Sequence, residues 1–271
     1  MNIFFYDVAI SVPLRQCFTY SSNLKIDKGS RVLVPFGNRK VIGIVIKKSK
    51  AVIGNNIEIK KIISKIDAHP VFNKSIFNTI LWSSEYYHHP IGEVFNTFIP
   101  NQLRKANNKV IEPLTVEESY QISINEKEKR FDLTSDQSKA LKQLLKLNSF
   151  QPSLLYGVTG SGKTEVYLRL VENCVKDGKS ALILVPEINL TPQLFNRFTS
   201  RFKGEIGLYH SRQTPAQRLK VWLNARFGNI KVVIGTRSAV LMPMKNIGLI
   251  VIDEEHDKSY RQSEGFKFSA R

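Results

Sequence analysis

The feature that most constrains this chain is the glycine-rich stretch at residues 157–164, which reads Gly-Val-Thr-Gly-Ser-Gly-Lys-Thr. It fits the pattern G-x-x-x-x-G-K-[ST], a loop whose backbone N–H groups face phosphates. Apolar residues at 153–156 predict a short buried strand before the loop. Helically spaced apolar residues after Lys163 predict a helix behind it. Strand, glycine loop and helix in this order predict a P-loop nucleotide-binding fold.

The loop supplies most of the predicted cofactor contacts. Its predicted cofactor-binding residues are Gly157, Gly160, Ser161, Gly162, Lys163 and Thr164. Lys163 is expected to reach the β- and γ-phosphates of ATP, where it also takes part in catalysis. Thr164 is expected to place its hydroxyl on Mg²⁺. A Gly/Ser-rich turn that happens to precede a helix is the alternative interpretation.

A second motif follows about ninety residues later. The apolar run at 249–252 ends in Asp253-Glu254-Glu255-His256, which is the Walker B arrangement. We assign Mg²⁺ to Asp253 and the role of catalytic base to Glu254, because adjacent carboxylates at a strand tip can hold the metal and activate water. His256 is expected to couple the nucleotide site to the ligand on which such a motor acts. The alternative is a solvated acidic loop.

Composition narrows the class of protein. A length of 271 residues allows about two domains. A net charge of +17 favours a polyanionic partner such as nucleic acid, although biased residue usage is an alternative. The two cysteines, Cys17 and Cys174, cannot supply a Cys₄ zinc site, so no zinc is expected in this chain. No long apolar run and no signal peptide are present, which predicts a cytoplasmic protein without a membrane contact.

The first part of the chain reads as short strands divided by turns. The predicted strands lie at 4–10, 17–20, 31–35, 41–47 and 57–66. Such spacing predicts a small barrel or sandwich. A helix is predicted over 73–88, with Trp82 on its packed side. We interpret the histidine pair that follows, His88 and His89, as a packed helix end and not as a metal site.

The second part alternates strands with helices. Thr134 is predicted to cap a helix that runs to residue 147. The strands predicted after it lie at 153–156, 181–185, 205–209, 231–234 and 249–252. Helices are predicted to begin at Lys163, after Thr191-Pro192 and after Thr214-Pro215. This alternation predicts a parallel α/β sheet with ligands at the carboxyl ends of its strands.

Further segments agree with the two motifs, since D-E-x-H after a P-loop is typical of superfamily 2 helicases. They are VPFG at 34–37, IGIV at 42–45, YYHHPIG at 86–92, VPEINLTPQ at 185–193, GTRSA at 235–239 and IDEEHDKSYRQSEGFKFSAR at 252–271. Together with GVTGSGKTEVY at 157–167, they closely resemble the primosomal protein N′ (PriA) family of replication-restart DNA helicases.

The resemblance implies further residues and partners. It implies that Gln137 reads adenine and that Thr236 and Arg237 hold single-stranded DNA. The residues that it places at a free 3′ DNA end are Phe18, Gly37 and Lys60. It implies a DNA-dependent ATPase that recognises stalled forks and D-loops in the nucleoid. Other primosome proteins, single-strand-binding protein and the loader of the replicative helicase are the implied protein partners.

The sequence departs from the family pattern in three ways, which change the activity and base preference that we expect. Residues 105–130 are too few for the family's winged-helix domain. The second motor lobe, its arginine finger and the cysteine-rich zinc module are absent from the 271 residues. We therefore expect the chain to position Mg·ATP but not to unwind DNA alone. Thr19 stands where the family has an acidic residue, so little discrimination among bases is expected.

The sequence thus predicts a RecA-like P-loop lobe preceded by a β-rich, barrel-like DNA-binding domain. The predicted bounds are 1–104 for the 3′-end-binding domain, 105–130 for a linker and 131–271 for the ATP-binding lobe. The predicted function is that of a PriA-like ATP-dependent helicase of replication restart. A binding protein that holds ATP and forks without turnover, or a degenerate gene product, is the alternative, and enzymatic activity stays open between them.

Overall fold

A computed structural model of the chain describes residues 2–50, 59–105, 111, 123–124, 130–158, 160–186, 192–203 and 206–271. The chain forms two compact units, which are described separately. The first comprises Met1–Pro113, Thr214–Leu223 and Arg261–Ser269, and the second comprises Leu114–Gln213, Asn224–Tyr260 and Ala270–Arg271. Among the helices of the described residues, none combines the length and hydropathy that a membrane span needs.

The first unit is built on an antiparallel sheet. Its strands are β1 (Phe4–Ile10), β2 (Phe18–Ser22), β3 (Arg31–Phe36), β4 (Arg39–Ser49) and β5 (Ser64–Lys65). They pair in the order β2-β1-β4-β3-β5. Alternate side chains on one face form a buried core around Tyr6, Val8 and Val32, as the two-residue period of a strand requires.

One segment joins the two edges of this sheet and closes it. The Ser21 N–H of β2 donates to the Lys60 carbonyl at 3.0 Å, and the Ile62 N–H donates back to Ser21 at 2.8 Å. One residue later, the Ile63 N–H donates to the Leu33 carbonyl of β3 at 2.8 Å. The segment continues into the edge strand β5, and it therefore hydrogen-bonds both to β3 and to β2 at the opposite edge. Such closure reduces the free edges of a sheet. This confirms the barrel-like fold, although the predicted strand at 57–66 is reduced to β5, and residues 57–58 lie outside the described residues.

Two helices follow the barrel. Helix α1 (Lys74–Tyr86) begins at Asn73, whose side chain accepts the Ile76 N–H at 2.9 Å. Helix α2 (Ile91–Phe98) packs closely against β1, since a Cβ on Gly92 would overlap the Ile10 carbonyl. The predicted packed face of α1 is wrong at one position. Phe77 and Ile80 are buried, but Trp82 is 52 % exposed, because a ring at that angle around the helix points away from the barrel.

A buried ion pair ties distant parts of the first unit together. Two nitrogens of Arg31 on β3 donate to the two carboxylate oxygens of Asp67, each at 2.6 Å. The third nitrogen donates to the Leu103 carbonyl, also at 2.6 Å, and the Ile111 N–H donates to Asp67 at 3.0 Å. Both side chains are buried. Because each charge is fully hydrogen-bonded, the pair joins four chain segments without an uncompensated charge.

The second unit is an α/β layer structure. Its helices are α3 (Ser135–Leu145), α4 (Lys163–Lys176), α5 (Pro192–Arg201) and α6 (Pro215–Phe227), of which α6 begins in the first unit. Its strands are β6 (Ser123–Ile124), β7 (Ser180–Leu184), β8 (Phe202–Lys203), β9 (Gly207–Tyr209), β10 (Val232–Gly235) and β11 (Ile247–Ile252). The main sheet is parallel in the order β11-β7-β10-β9, and β6 pairs with β8. The parallel sheet confirms the predicted fold class.

The predicted strand at 153–156 is wrong. These residues are described but form no strand, and the Tyr156 side chain is 91 % exposed. A strand exists only through hydrogen bonds to a neighbouring strand. The only pairing that the described residues give β11 is to β7, so the apolar run beside the P-loop has no ladder to join. The predicted domain bounds, whose linker lies mostly outside the described residues, stay a prediction.

The ion pair of Arg31 gives a prediction for stability. Asp67→Asn removes one charge and leaves the buried guanidinium uncompensated, so we expect the free energy of unfolding to fall by about 3–5 kcal/mol. Both tryptophans of the chain, Trp82 and Trp222, belong to the first unit. Urea unfolding followed by tryptophan fluorescence therefore measures this unit.

The matched control for this experiment is Lys47→Gln, in the same unit. The exposed Lys47 ammonium lies 3.7 Å from the Asp7 carboxylate, and exposed pairs contribute little. No measurable shift is expected for the control. An equally small shift for Asp67→Asn would contradict the importance of the buried pair.

Candidate functional site

The loop before α4 depends on glycine. Gly160 and Gly162 have φ angles of +82° and +79°, in the left-handed region that other residues rarely adopt. A Cβ on Gly162 would also lie 2.5 Å from the side-chain nitrogen of Gln137. Gly162 is the N-cap of α4, so the helix N-terminus opens directly onto the loop. Thr159 lies outside the described residues.

The lysine of the loop faces its backbone and an acidic residue. The Lys163 ammonium donates to the Gly157 carbonyl at 2.6 Å and lies 3.8 Å from the carboxylate of Glu254. The Ser161 hydroxyl lies so close to Gly157 that a Cβ there would meet it at 2.7 Å. The structure therefore brings the predicted phosphate-binding lysine and the predicted catalytic base together. To bind a phosphate, the ammonium would exchange the carbonyl for phosphate oxygens.

Gln137 joins α3 to the P-loop. Its side-chain oxygen accepts the Thr134 N–H at 2.9 Å, which completes a capping box with the predicted N-cap. Its side-chain nitrogen donates to the Ser161 carbonyl at 2.8 Å. An amide has two N–H donors and two lone pairs. One of each is still available at Gln137, so a second, two-point contact to a planar ring is chemically possible.

The acidic residues lie where strand β11 ends. The Asp253 N–H donates to the Leu184 carbonyl at the end of β7, at 2.9 Å, so the two strands end side by side. Glu254 has a φ of +46°, which is uncommon for a residue with a side chain and often marks functional sites. This turn directs the Glu254 side chain back towards Lys163. The carboxyl edge of the sheet thus collects both predicted carboxylates.

Two tyrosines surround Asp253, and sequence reasoning missed both. The Tyr167 hydroxyl, one helical turn after Lys163, donates to the Asp253 carboxylate at 3.3 Å. The Tyr260 hydroxyl lies 2.6 Å from the Asp253 carbonyl oxygen and 3.0 Å from that of Leu184. Burial raises the pKa of both phenols, and the charge of Asp253 adds to this. Tyr167 could have been found from its four-residue spacing to Lys163, whereas Tyr260 required the fold.

The Asp253 carboxyl is itself poorly compensated. Burial raises its pKa, and the neighbouring charge of Glu254 adds to the effect, against a lowering by the Tyr167 hydroxyl and Lys163. The hydrogen bond that it accepts from the Tyr167 hydroxyl is long, at 3.3 Å. A half-buried carboxylate with spare lone pairs and excess negative charge beside it suits a divalent cation. The donor chemistry at Asp253, with the Thr164 hydroxyl at the start of α4, therefore fits Mg²⁺.

The remaining helicase-motif residues lie around the turn that follows β11. The Arg237 guanidinium donates to the Ser259 carbonyl at 3.0 Å, which links the GTRSA segment to this turn. Thr236 is buried at the N-cap of the 3₁₀ turn Arg237–Leu241. The imidazole of His256 is well exposed and lies 3.9 Å from the Glu254 carboxylate. Residues 187–191 of the VPEINLTPQ segment lie outside the described residues.

A buried charge cluster fixes the P-loop helix in place. Arg201 at the end of α5 donates to both carboxylate oxygens of Glu165 at 2.9 Å, and to Glu172 at 3.0 Å. Arg169 donates to Glu165 at 2.8 Å. All three acid–base contacts involve α4, and Glu165 is two residues from Lys163. The sequence pattern gave no signal for this cluster, because its members are far apart in the chain.

The predicted DNA-end residues lie in the first unit. The Phe18 ring packs edge-on against Phe36, with ring centroids 5.1 Å apart. Phe36 and Gly37 line an open groove of about 600 Å³ at the β3–β4 turn. The other lining residues are Ile10, Ser11, Val12, Asn38, Arg39, Lys40, Val41, Ile42, Asn96 and Arg104. Lys60 pairs with Ser21 on the strand that carries Phe18. Arg39, Lys40 and Arg104 make the groove basic, as a phosphate ligand requires.

The structure places a carboxylate, that of Asp7 on β1, beside Thr19 on β2, where the family has an acidic residue at the position of Thr19. The Thr19 hydroxyl donates to Asp7 at 3.0 Å, and the Lys47 ammonium lies 3.7 Å from the same carboxylate. Asp7 and Thr19 are cross-strand partners of β1 and β2. Burial raises the pKa of the Cys17 thiol, and the charge of Asp7 raises this pKa further. Sequence reasoning missed Asp7 because strand register decides which residues are neighbours.

The predicted packing of the histidine pair can be compared with the contacts of His89. Across the described ranges, no group of three or more His, Cys, Asp and Glu side chains could hold a metal ion. His89 lies 2.8 Å from Glu93, its neighbour one turn along α2, and its ring packs on Phe266 at 5.3 Å.

The structure therefore brings together a glycine loop, a lysine and paired carboxylates at the carboxyl edge of a parallel sheet, as the sequence predicted for a P-loop nucleotide site. The family model described as DEAD/DEAH box helicase matches residues 134–269. The family model described as 3'DNA-binding domain (3'BD) matches residues 7–100. The chain belongs to the DEAD/DEAH box helicase family, which uses ATP, and it carries a DNA-binding domain.

Relatives that match most of this chain are replication restart proteins. Replication restart protein PriA of Haemophilus influenzae is 34 % identical over 97 % of this chain and 46 % of its own length. The PriA proteins of Rickettsia conorii and Treponema pallidum are 35 % and 33 % identical over 92 % and 98 % of this chain, and over 36 % and 40 % of theirs. The chain is thus similar to the N-terminal part of PriA, as predicted, and spans less than half of these relatives.

The raised pKa of Asp253 predicts the direction in which stability changes with pH and on substitution of this residue. A raised pKa means that the folded state binds the proton more tightly than the unfolded state, so stability falls as pH rises through the folded-state pKa. Asp253→Asn should therefore increase the free energy of unfolding at neutral pH in Mg²⁺-free buffer. The gain should shrink as the pH falls below the folded-state pKa of this carboxyl. Urea unfolding followed by circular dichroism, at a series of pH values, measures it.

Asp257→Asn is the opposite control. Hydrogen bonds from Ser259, by its side chain and its N–H, lower the pKa of Asp257, so its charge stabilises the fold at neutral pH. That stability is lost as the pH falls through the folded-state pKa. A loss of stability in both variants at neutral pH would contradict the view that Asp253 is an uncompensated charge.

Proposed function

We propose that the chain is part of an ATP-dependent DNA helicase of replication restart, in which residues 131–271 bind and hydrolyse Mg·ATP and residues 1–104 hold a free 3′ DNA end. The observation that carries the proposal is the meeting of Lys163 with Glu254, 3.8 Å apart, beside Asp253. A phosphate-binding cation and two acidic groups at the mouth of a glycine loop have the roles that phosphoryl transfer needs.

Each residue of the nucleotide site has a role in this proposal. Lys163 and the loop N–H groups bind the phosphates, while Asp253 and Thr164 hold Mg²⁺, which supplies charge neutralisation at the β- and γ-phosphate oxygens. Glu254 orients the attacking water and accepts its proton. Gln137 reads the adenine edge with its remaining donor and lone pair.

The DNA contacts lie at two places. Thr236 and Arg237 hold the single strand. The hydrogen bond from Arg237 to Ser259 couples the conformation of the turn after β11 to the bound strand. His256, 3.9 Å from Glu254, couples the same turn to bound DNA. In the first unit, Phe18 stacks on the terminal base and Lys60 takes a phosphate.

The biological setting is inferred from the relatives, whose printed name is replication restart protein. Stalled forks and D-loops in the nucleoid are the proposed substrates. Other primosome proteins, single-strand-binding protein and the loader of the replicative helicase are the proposed partners. The basic net charge of +17 supports the polyanionic substrate.

Nucleotide binding gives the first test of the proposal. Lys163→Ala removes a charge-assisted hydrogen bond, typically about 1.5–3 kcal/mol, so we expect Mg·ATP binding roughly 10- to 100-fold weaker. Calorimetric titration of the whole chain measures the affinity. Glu254→Gln is the matched variant, which should keep the affinity and lose any DNA-stimulated turnover. Unchanged affinity in Lys163→Ala would remove the phosphate-binding assignment. Binding without turnover in the unaltered chain would favour the non-catalytic binding protein.

DNA-end recognition gives the second test. The chain should bind a fork with a free 3′ hydroxyl more tightly than one whose 3′ end is blocked by a phosphate, at physiological salt. Phe18→Ala should reduce that preference by roughly 5- to 100-fold, because stacking on a base is worth about 1–3 kcal/mol. Fluorescence anisotropy with labelled forks measures both. Equal affinity of the unaltered chain for the two forks would contradict end recognition. Asp7→Asn tests whether the carboxylate beside Thr19 contributes base preference.

A further inference from the structure

Two aromatic rings are exposed together on α1, and neither lines the proposed end-binding groove. Trp82 and Tyr86 are 52 % and 63 % exposed. They are one helical turn apart, and their rings stack with centroids 4.8 Å apart and planes inclined by 23°. Most large apolar side chains of a stable domain are buried, so a stacked, exposed pair needs an explanation.

The two rings are supported from beneath. The Tyr87 ring meets Trp82 and Tyr86 edge-on, with centroids 6.2 Å and 4.9 Å away. Tyr87 in turn packs edge-on against the buried Phe266 at 5.7 Å, and its hydroxyl accepts the Ser269 N–H at 3.2 Å. We call Trp82, Tyr86 and Tyr87 the aromatic ledge. Its geometry is fixed before any ligand arrives, which reduces the entropic cost of binding.

Two exposed cations belong to segments that border the ledge. Arg15 donates to the carbonyl of His88, the residue after Tyr87, at 2.9 Å. Lys267 follows Phe266, the ring against which Tyr87 packs. Glu85 is an acidic side chain on the same turn of α1. Flat rings flanked by cations match the two parts of a nucleotide, a base and a phosphate.

We propose that the aromatic ledge is a stacking site for an unpaired nucleic-acid base, with Arg15 and Lys267 on the flanking phosphates. It is separate from the groove at Phe36 and Gly37, and it needs no free end. The inference rests on the proposed function only in taking DNA as the ligand. Stacking accepts any base, so the site would hold the strand regardless of sequence.

The experiment uses a short oligo(dT) blocked by a 3′ phosphate, so that end recognition does not contribute. The whole chain carries Arg237→Ala, which weakens the single-strand contact proposed for the second unit. It is titrated without ATP, and its tryptophan emission is recorded. Of the two tryptophans, Trp222 is only 1 % exposed, so quenching reports Trp82. We expect saturable quenching. The double substitution Trp82→Leu with Tyr86→Leu should weaken binding, measured by anisotropy, roughly 5- to 30-fold.

Salt dependence separates stacking from general attraction. The double substitution should leave the slope of log K against log salt unchanged, because it removes no cation. Arg15→Ala or Lys267→Ala should reduce the slope by about 0.7, the loss of one phosphate contact on a single strand. Trp82→Phe should bind nearly as well as the unaltered chain, since a ring is retained.

Controls separate this inference from the proposed function. Phe150→Ala removes an exposed ring from the other compact unit and should leave oligo(dT) binding unchanged. The double variant should keep Mg·ATP affinity and the free-end preference, which shows that it is folded. Binding to free 3′ ends alone, without quenching by the blocked oligo(dT), overturns the ledge and leaves the proposed function intact. Equal binding by the double variant, or quenching only by a protein partner, also overturns it.

Discussion

The candidate nucleotide site depends on the buried guanidinium of Arg201. It ends α5 and binds two carboxylates of α4, Glu165 and Glu172, which lie about two turns apart on that helix. Removing one partner from such a cluster would leave a buried charge uncompensated, at a cost of about 3–5 kcal/mol. The position of α4 sets the position of Lys163, because a helix is rigid over two residues. Lys163 is therefore positioned by side chains that lie outside the P-loop itself.

The acidic residues of the site, unlike the compensated cluster at Arg201, destabilise the unliganded chain. Asp253 is half-buried with a raised pKa, and Glu254 adopts a positive φ. Both features cost free energy in the unliganded chain. Lys163 offsets part of this cost through Glu254 at 3.8 Å. A bound cation would offset the rest, so the arrangement favours the liganded state by destabilising the unliganded one.

The sequence predicted what is local and missed what depends on pairing. The P-loop helix, the capping box at Thr134 and the strand before Asp253 follow from short-range patterns. The strand at 153–156 was wrong, because apolar composition does not provide a partner strand. Asp7 was missed since only the register of β1 and β2 makes it the neighbour of Thr19. Tyr260 was missed because its carbonyl partners lie on strands joined only in the fold.

Trp82 shows that apolar composition alone does not separate core from surface. It shares a helix with the buried Phe77 and Ile80, and composition alone would place all three in the core. The stripe that a helix buries is only about 100° wide, and at 3.6 residues per turn Trp82 lies on the opposite side of α1 from Phe77 and Ile80. Tyr87, which packs on Phe266, then meets the Trp82 ring edge-on. Tertiary packing thus turns an ordinary apolar position into a supported, solvent-facing ring.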